Sequence, residues 1–256
     1  MRYQVSLDDL DLSNVSHPIR ITDVIELQPD LTSDTKERLG AAGSYLVRSH
    51  LKARKVRVQF ALLTSDITER TAVLSEITAW AVRGKFLKIG DRPGQLLRVV
   101  CTELPTTTSK RKWTDLCEMT FSAFAVPYWE DVAGVSMMAT GTKARLTLSG
   151  PGNVEQVPLR CRITPEQTLS SVRIRANGAE MAFSGLAVPA GKTFTVDYVD
   201  GLLTASWTAE DGTVTPCLRY RTGVEIVPIL ARKANQVEVD TDVAAAVTIN
   251  AKGWYW

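Results

Sequence analysis

Lys55-Val56-Arg57-Val58-Gln59-Phe60-Ala61-Leu62 places Val56, Val58, Phe60 and Leu62 on one side of an extended chain and Lys55, Arg57 and Gln59 on the other. A period of two is the mark of a half-buried strand, because successive side chains point to opposite faces. The same alternation recurs in Trp113 to Phe121, Ser171 to Arg175, Phe194 to Tyr198 and Gln236 to Asp240. Between these runs stand Asp91-Arg92-Pro93-Gly94, Gly150-Pro151-Gly152-Asn153, Asn177-Gly178 and Asp211-Gly212, residues that reverse a chain or tolerate positive φ. Short alternating runs with regular turns predict an all-β chain built of sandwiches or barrels.

One segment breaks the pattern. From Asp66 to Ala81, Ile67, Val73, Leu74, Ile77, Trp80 and Ala81 follow a spacing near 3.6, which predicts one helix over about 66–82. Ser65 or Asp66 can cap it, Glu69 stands where a capping box needs it, and Gly84 is placed to stop it. Its expected role is to cover a sheet. Pro127-Tyr128-Trp129-Glu130-Asp131 closes the first set of strands and the small-residue stretch Val132 to Gly141 follows. Two domains are therefore expected, 1–131 and 132–256.

Composition narrows the function. The 256 residues include 30 Lys and Arg against 28 Asp and Glu, too balanced for a protein that coats nucleic acid with charge. No apolar run is long enough for a membrane-spanning helix, and no secretory signal is read at Met1-Arg2-Tyr3, so synthesis and folding in a cytoplasm are expected. Cys101, Cys117, Cys161 and Cys217 have neither CxxC spacing nor a nearby His, which points to buried thiols rather than a metal or redox site. Cys101 and Cys117 could face each other across a hairpin.

The search for chemistry finds no enzyme motif: no GxSxG, HExxH, P-loop or EF-hand loop. His17 and His50 lack partners in sequence for general-base work. Asp8-Asp9 with Asp11, Glu130-Asp131 and Glu210-Asp211 read as solvated turn acids, without the spacing of a closed cation loop. No cofactor or metal is expected. Two basic clusters, Arg48, Lys52, Arg54, Lys55 and Arg57, and Lys110-Arg111-Lys112, read as loop tips and an outward strand face, or as a surface that meets an acidic partner. The strand face Arg54, Lys55 and Arg57 is taken as a candidate interaction surface. Six tryptophans are present: Trp80, Trp113, Trp129, Trp207, Trp254 and Trp256. Trp207 could stack on a sugar. The tail Gly253-Trp254-Tyr255-Trp256 would be a costly exposed patch, so it is expected to pack on its own domain or on a neighbour.

Three stretches together carry a family resemblance. These are Gly84-Lys85-Phe86-Leu87-Lys88-Ile89-Gly90-Asp91-Arg92-Pro93-Gly94-Gln95-Leu96 after the helix, Met119 to Trp129 ending in Pro127-Tyr128, and Gly150-Pro151-Gly152-Asn153-Val154-Glu155-Gln156-Val157-Pro158-Leu159, followed later by Gly191 to Asp197. In order and spacing the chain resembles the distal tail proteins of siphovirus-type bacteriophages over nearly its whole length. It departs from the family at Lys233-Ala234-Asn235-Gln236, where relatives often carry a Pro-Gly-Asn turn.

The resemblance implies an N-terminal β-sandwich or barrel with one helix that builds a six-membered ring, and a C-terminal galectin-like β-sandwich that projects outward. It implies a structural hub at the distal end of the tail of the virion. Such a hub joins the tail tube protein to a tail-associated tip or fibre protein and supports receptor-binding proteins, with DNA only as passing cargo. An alternative is a galectin-like module that recognises host-wall glycan.

Overall fold

The computed structural model describes residues 3–14, 19–37, 44–63, 66–110 and 114–256. Packing divides the chain into two units, Met1–Trp129 and Glu130–Trp256.

The first unit opens with β1 (Val5–Leu7), β2 (Leu10–Asp11), β3 (Ile19–Leu27) and the paired strands β4 (Leu31–Glu37) and β5 (Ser44–Leu51). It continues through β6 (Arg54–Leu62), α1 (Ile67–Arg83), β7 (Phe86–Ile89), β8 (Gln95–Arg98), β9 (Val100–Lys110) and β10 (Asp115–Ala123), and β11 (Trp129–Asp131) runs through the boundary. Four strands form an antiparallel sheet in the order β3-β6-β10-β9. The alternation in β6 is realised: Val56, Val58, Phe60 and Leu62 are buried. They share that face with Cys117, Met119 and Phe121 of β10. Trp80 of α1 meets Phe121 edge to face, with ring centroids 6.2 Å apart, so the helix covers this face as expected.

Asp66 caps α1 by accepting the Thr68 N–H at 2.8 Å. Ser65, the other expected cap, lies outside the described residues. Gly84 stops the helix, but in an extended conformation (φ −74°) and not the left-handed one usual after a helix. Space explains the glycine: a Cβ here would sit 2.6 Å from Leu7 Cβ.

The second unit comprises β12 (Val135–Ser149), β13 (Gln156–Pro158), β14 (Arg160–Pro165), β15 (Leu169–Ala176), β16 (Ala179–Val188), β17 (Phe194–Val199) and β18 (Leu202–Thr208). After these come β19 (Val214–Pro216), β20 (Arg221–Gly223), β21 (Pro228–Leu230), β22 (Ala234–Ala251) and β23 (Trp254–Tyr255). The long strand β22 organises it. One side of β22 pairs with β12 at Ala234–Asp240 and again, after a bulge, at Ala245–Ala251; the other pairs first with β15 and then with β14. From these junctions the order runs β19-β18-β17-β14-β22-β15-β16-β20. Leu146, Leu148, Ile163, Ile174, Phe183, Phe194, Val239 and Val247 belong to one apolar core. Asn177 (φ 50°) and Gly178 (φ 78°) both adopt positive φ, as a two-residue hairpin turn between β15 and β16 requires.

One expectation needs correction. Cys101 pairs in register with Phe121, and Cys117 with Thr107, so the two cysteines do not face each other; all four thiols are free. Within the small-residue stretch Val132 to Gly141, β12 begins at Val135 and its partner β22 supplies the hydrogen bonds. At Lys233-Ala234-Asn235-Gln236, where the sequence departs from the family, Asn235 is buried and ties down the turn before β22: its side chain accepts the Leu230 N–H (2.8 Å) and donates to the carbonyls of Lys233 (2.8 Å) and Leu230 (3.0 Å).

Candidate assembly surfaces

The strand-face candidates separate once parity is applied. Arg54 shares the parity of Val56 and is fully buried (0% exposed), whereas Lys55 is exposed and Arg57 half-buried on the opposite face. Arg54 is thus removed from the outward basic face on which the sequence reading placed it. Its Nε donates to the Pro127 carbonyl at 2.8 Å, one terminal nitrogen donates to Gln28 Oε1 at 3.2 Å, and the other lies 3.7 Å from Glu26 Oε2. Burial holds the Arg54 pKa below its ordinary value, with nearby Arg92 adding to the effect and Glu26 opposing it.

Glu26 is the hub of this cluster. Its two oxygens each accept from Arg92 Nε at 3.0 Å, and Oε2 also accepts from Trp129 Nε1 at 2.9 Å. The Arg92 guanidinium stands 5.1 Å over the Trp129 ring. The cluster ties together β3, β6, the turn after β7 and the end of the first unit. It is a lock within the fold, and removing one partner would leave the others' charge uncompensated.

The outward face of the β3-β6-β10-β9 sheet carries mixed charge. One row runs Ile25, Arg57, Thr120 and Glu103, with Thr120 Oγ1 donating to Glu103 at 2.5 Å. A second holds Asp23, Gln59 and Glu118, with Gln59 donating to Glu118 at 3.4 Å. Arg57 keeps its Nε buried with no hydrogen-bond partner. Such a donor ordinarily finds one.

Among the described residues the sheet also ends on two strands that pair on one side only, β3 and β9. Val100 (59% exposed) and Leu104 (49%) stand on β9. Pro105, which lacks an N–H, interrupts β9, a position tolerated at an edge. A long edge with exposed apolar residues is ordinarily blunted or covered.

The C-terminal tail packs on its own unit. Trp254 lies against the apolar core and its Nε1 donates to Glu130 at 3.2 Å. The Tyr255 hydroxyl and the Gly253 N–H both donate to Asp131 Oδ2 at 3.1 Å, and the Trp256 N–H donates to Asn153 Oδ1 at 3.0 Å. Burial first, and then Asp131, push the Tyr255 phenol above its ordinary pKa. Trp256 keeps 45% of its surface exposed.

The remaining acidic candidates serve turns and ion pairs. Asp8 accepts the N–H groups of Lys85 and Phe86, Asp9 pairs with Lys88, and Asp11 accepts from Ser13. Glu130 pairs with Arg160 and Lys252, Glu210 with Lys192, and Asp211 accepts from the Thr213 N–H. Arg48 pairs with Asp34, and His50 is exposed on β5. Trp207 is half-buried against the core of the second unit. His17, Arg111, Lys112 and Trp113 lie outside the described residues. Sequence reasoning missed Glu26 and Arg92, which reach Trp129 and each other across 103 and 66 positions.

No protein-family model and no curated protein matches the chain. Solved structures do. The chain superposes on the Dit (gp 19.1) protein of phage SPP1, described as a paradigm of hub adsorption apparatus in phages that infect Gram-positive hosts. The TM-score is 0.69 at 11% identity, covering 98% of this chain and 99% of that one. It is similar also to a chain of the phage P2 baseplate in its activated conformation with Ca (TM-score 0.51, 9% identity, 97% of each chain) and with Sr (0.51, 10%, 97% of each). At such identities the likeness establishes the fold, and it does so from end to end: an all-β architecture with one helix, shared with phage hub proteins.

Proposed function

We propose that this chain is a structural hub of a phage tail tip, a ring-forming distal tail protein without chemistry of its own. The observation that carries the reading is the N-terminal sheet, whose end strands β3 and β9 pair with a strand on one side only among the described residues. Four antiparallel strands make β3 and β9 run in opposite directions. Rotation about an axis along the strands therefore brings β3 of one copy beside β9 of the next as an antiparallel pair. A head-to-tail contact of this kind closes a ring when the rotation matches, and closure removes every edge. The full-length likeness to hub and baseplate proteins supports the same reading. Six copies is the number we propose, with a central channel through which DNA passes.

Lys55 and Arg57, on the outward sheet face, are the contact candidates that remain from the basic cluster. Trp254 and Trp256 stabilise the second unit, and Trp256 offers the exposed half of its ring to a neighbour. The tail tube and a tip protein are the proposed axial partners.

Val100→Asp with Leu104→Asp tests the ring. The double variant is expected to fold as the wild type does by circular dichroism, and to lose incorporation into particles. Full incorporation, or antibody labelling of wild-type particles away from the tail end, would overturn the reading.

A further inference from the structure

Beyond the main sheet of the first unit, β4 and β5 form a ribbon of their own. They pair with each other and, among the described residues, with no other strand. None of the side chains of 31–36 and 46–51 is buried, and Leu31 (64% exposed), Leu46 (59%) and Val47 (49%) stand in the open. A two-stranded hairpin is marginal in water by itself and needs a further layer over its apolar face.

The ribbon has such a face. Register sets Leu31 opposite Leu51, Ser33 opposite Ser49 and Thr35 opposite Leu46 on one side, while Thr32 with His50 and Asp34 with Arg48 lie on the other. Val47 is the extra residue of a bulge between Arg48 and Leu46, and by parity with Ser49 it joins the first side. That side therefore carries leucines, a valine and small hydroxyl residues, with no charge. The other carries the Asp34–Arg48 ion pair, Lys36 and His50, which suit water.

The root of the ribbon decides what can cover it. β3 passes into β4 through Gln28-Pro29-Asp30, and β5 into β6 through Lys52-Ala53. The Lys52 N–H donates to the Asp30 carbonyl at 2.8 Å, and buried Arg54 binds both Gln28 and Pro127, so the root is pinned to the sheet. The ribbon thus prolongs the edge strand β3 past the row Leu27, Lys55, Ser122 and Val100. At that same end of the sheet, Val100 at the start of β9 and Phe124 just after β10 are 59% and 65% exposed, so the chain's own ribbon leaves them open. In the proposed ring β3 of one copy lies beside β9 of the next, and its ribbon emerges at the next copy's Val100. Strands lie about 4.8 Å apart, which sets β9 and β10 of that copy about 5 and 10 Å from β3, whereas the seven residues of β4 reach about 23 Å.

We propose that the β4–β5 ribbon of each copy lies with its uncharged face across the end of the next copy's sheet, where Leu31, Leu46 and Val47 cover Val100 and Phe124. The contact is head-to-tail and repeats from copy to copy, as a closed ring requires. The inference rests on the ring reading and adds a clasp to it, a second contact between neighbours beyond the paired edges.

A benzophenone side chain in place of Val47, irradiated in assembled particles, tests it. The expected adduct has twice the mass of the chain, and its cross-link maps to the peptide that contains Phe124. Phe124→Ala should lower the yield about tenfold. If Phe124→Ala does not enter particles, Leu46→Ser on the ribbon is expected to lower the yield instead. An adduct within one chain, an adduct with a different virion polypeptide, a yield that neither variant changes, or no adduct from particles that hold the chain would each overturn the clasp and leave the ring reading standing. Absence of the wild-type chain from particles would overturn both.

Discussion

The two units solve the same problem, a stable sheet-based core, in different ways. The second unit relies on an apolar interior. That interior is a continuous cluster, and its buried polar side chains are the neutral Asn235 and Thr241. The first unit buries charge: Arg54 and Asp115 are inside, Asp115 is bonded to Arg70 at 2.8 Å, and Glu26 gathers two arginines and an indole. Among the described residues the main sheets of both units end on strands paired on one side, β3 and β9 in the first and β19 and β20 in the second, so the edges do not distinguish them; the cores do. An apolar core tolerates small shifts of its surroundings, whereas a bonded charge cluster holds only in one arrangement. On the proposed ring reading, that rigidity would suit the first unit, whose edges would keep a fixed register with neighbouring copies.

That contrast can be broken at its strongest point first. Phe194→Ala removes a fully buried ring that meets Phe183 edge to face at 5.1 Å, and should destabilise the second unit by about 3–5 kcal/mol. Hydrogen exchange on the full chain should show lost protection in β14, β17 and β22 and little change in β6 or β10. Uniform loss would show that the units unfold as one. Glu26→Gln keeps the shape but removes the charge between Arg54 and Arg92, at an expected cost of about 2–3 kcal/mol after allowance for the partial exposure of Glu26. The loss should appear in the first unit, and an unchanged denaturation midpoint would strip the cluster of its role.

Alkaline pH should act mainly on the second unit. Burial pushes the Cys161 thiol up to about 12 from 9.0, and the Tyr198 phenol up to about 12 from 10.0. Both fold in the neutral form with a pKa above the unfolded value. Their contribution is therefore whole below about pH 9 for the thiol and about pH 10 for the phenol, and is lost as pH rises toward about 12. At about pH 10.5 the combined loss should approach about 3 kcal/mol, about 2 of it from the thiol. Cys161→Ala combined with Cys217→Ala, which removes both buried thiols of the second unit, should move its onset upward by about one pH unit, from the thiols' unfolded value to the phenol's. An onset that stays near pH 9 in that variant would assign the effect to other groups.

How far the sequence could be read follows from how local each signal was. The face of β6, helix α1 and the Asn177-Gly178 turn were legible because their residues adjoin in the chain and obey one period. Arg54 was misplaced because its charge outweighed its parity with Val56. The first half of β12 was read as a boundary because the residues of 132–141 are largely small or exposed and show no alternation; pairing with β22 makes the strand. Pairing of β4 with β5 passed unnoticed for a similar reason, since Leu31, Leu46 and Val47 are exposed and do not alternate against a core. The Glu26 cluster and the lone Arg57 nitrogen depend on residues that only folding brings together. No motif announces them.

β22 has one more implication. It runs 18 residues in two paired stretches, Ala234–Asp240 and Ala245–Ala251 on β12, with 242–244 paired on neither flank. Its two ends meet the two ends of β12, whose 15 residues at about 3.3 Å each span about 50 Å. A pull along that axis loads the rungs of each stretch in shear together, whereas a pull across a short hairpin would open them one by one like a zip. On the hub reading, such a spar would carry tension through the second unit.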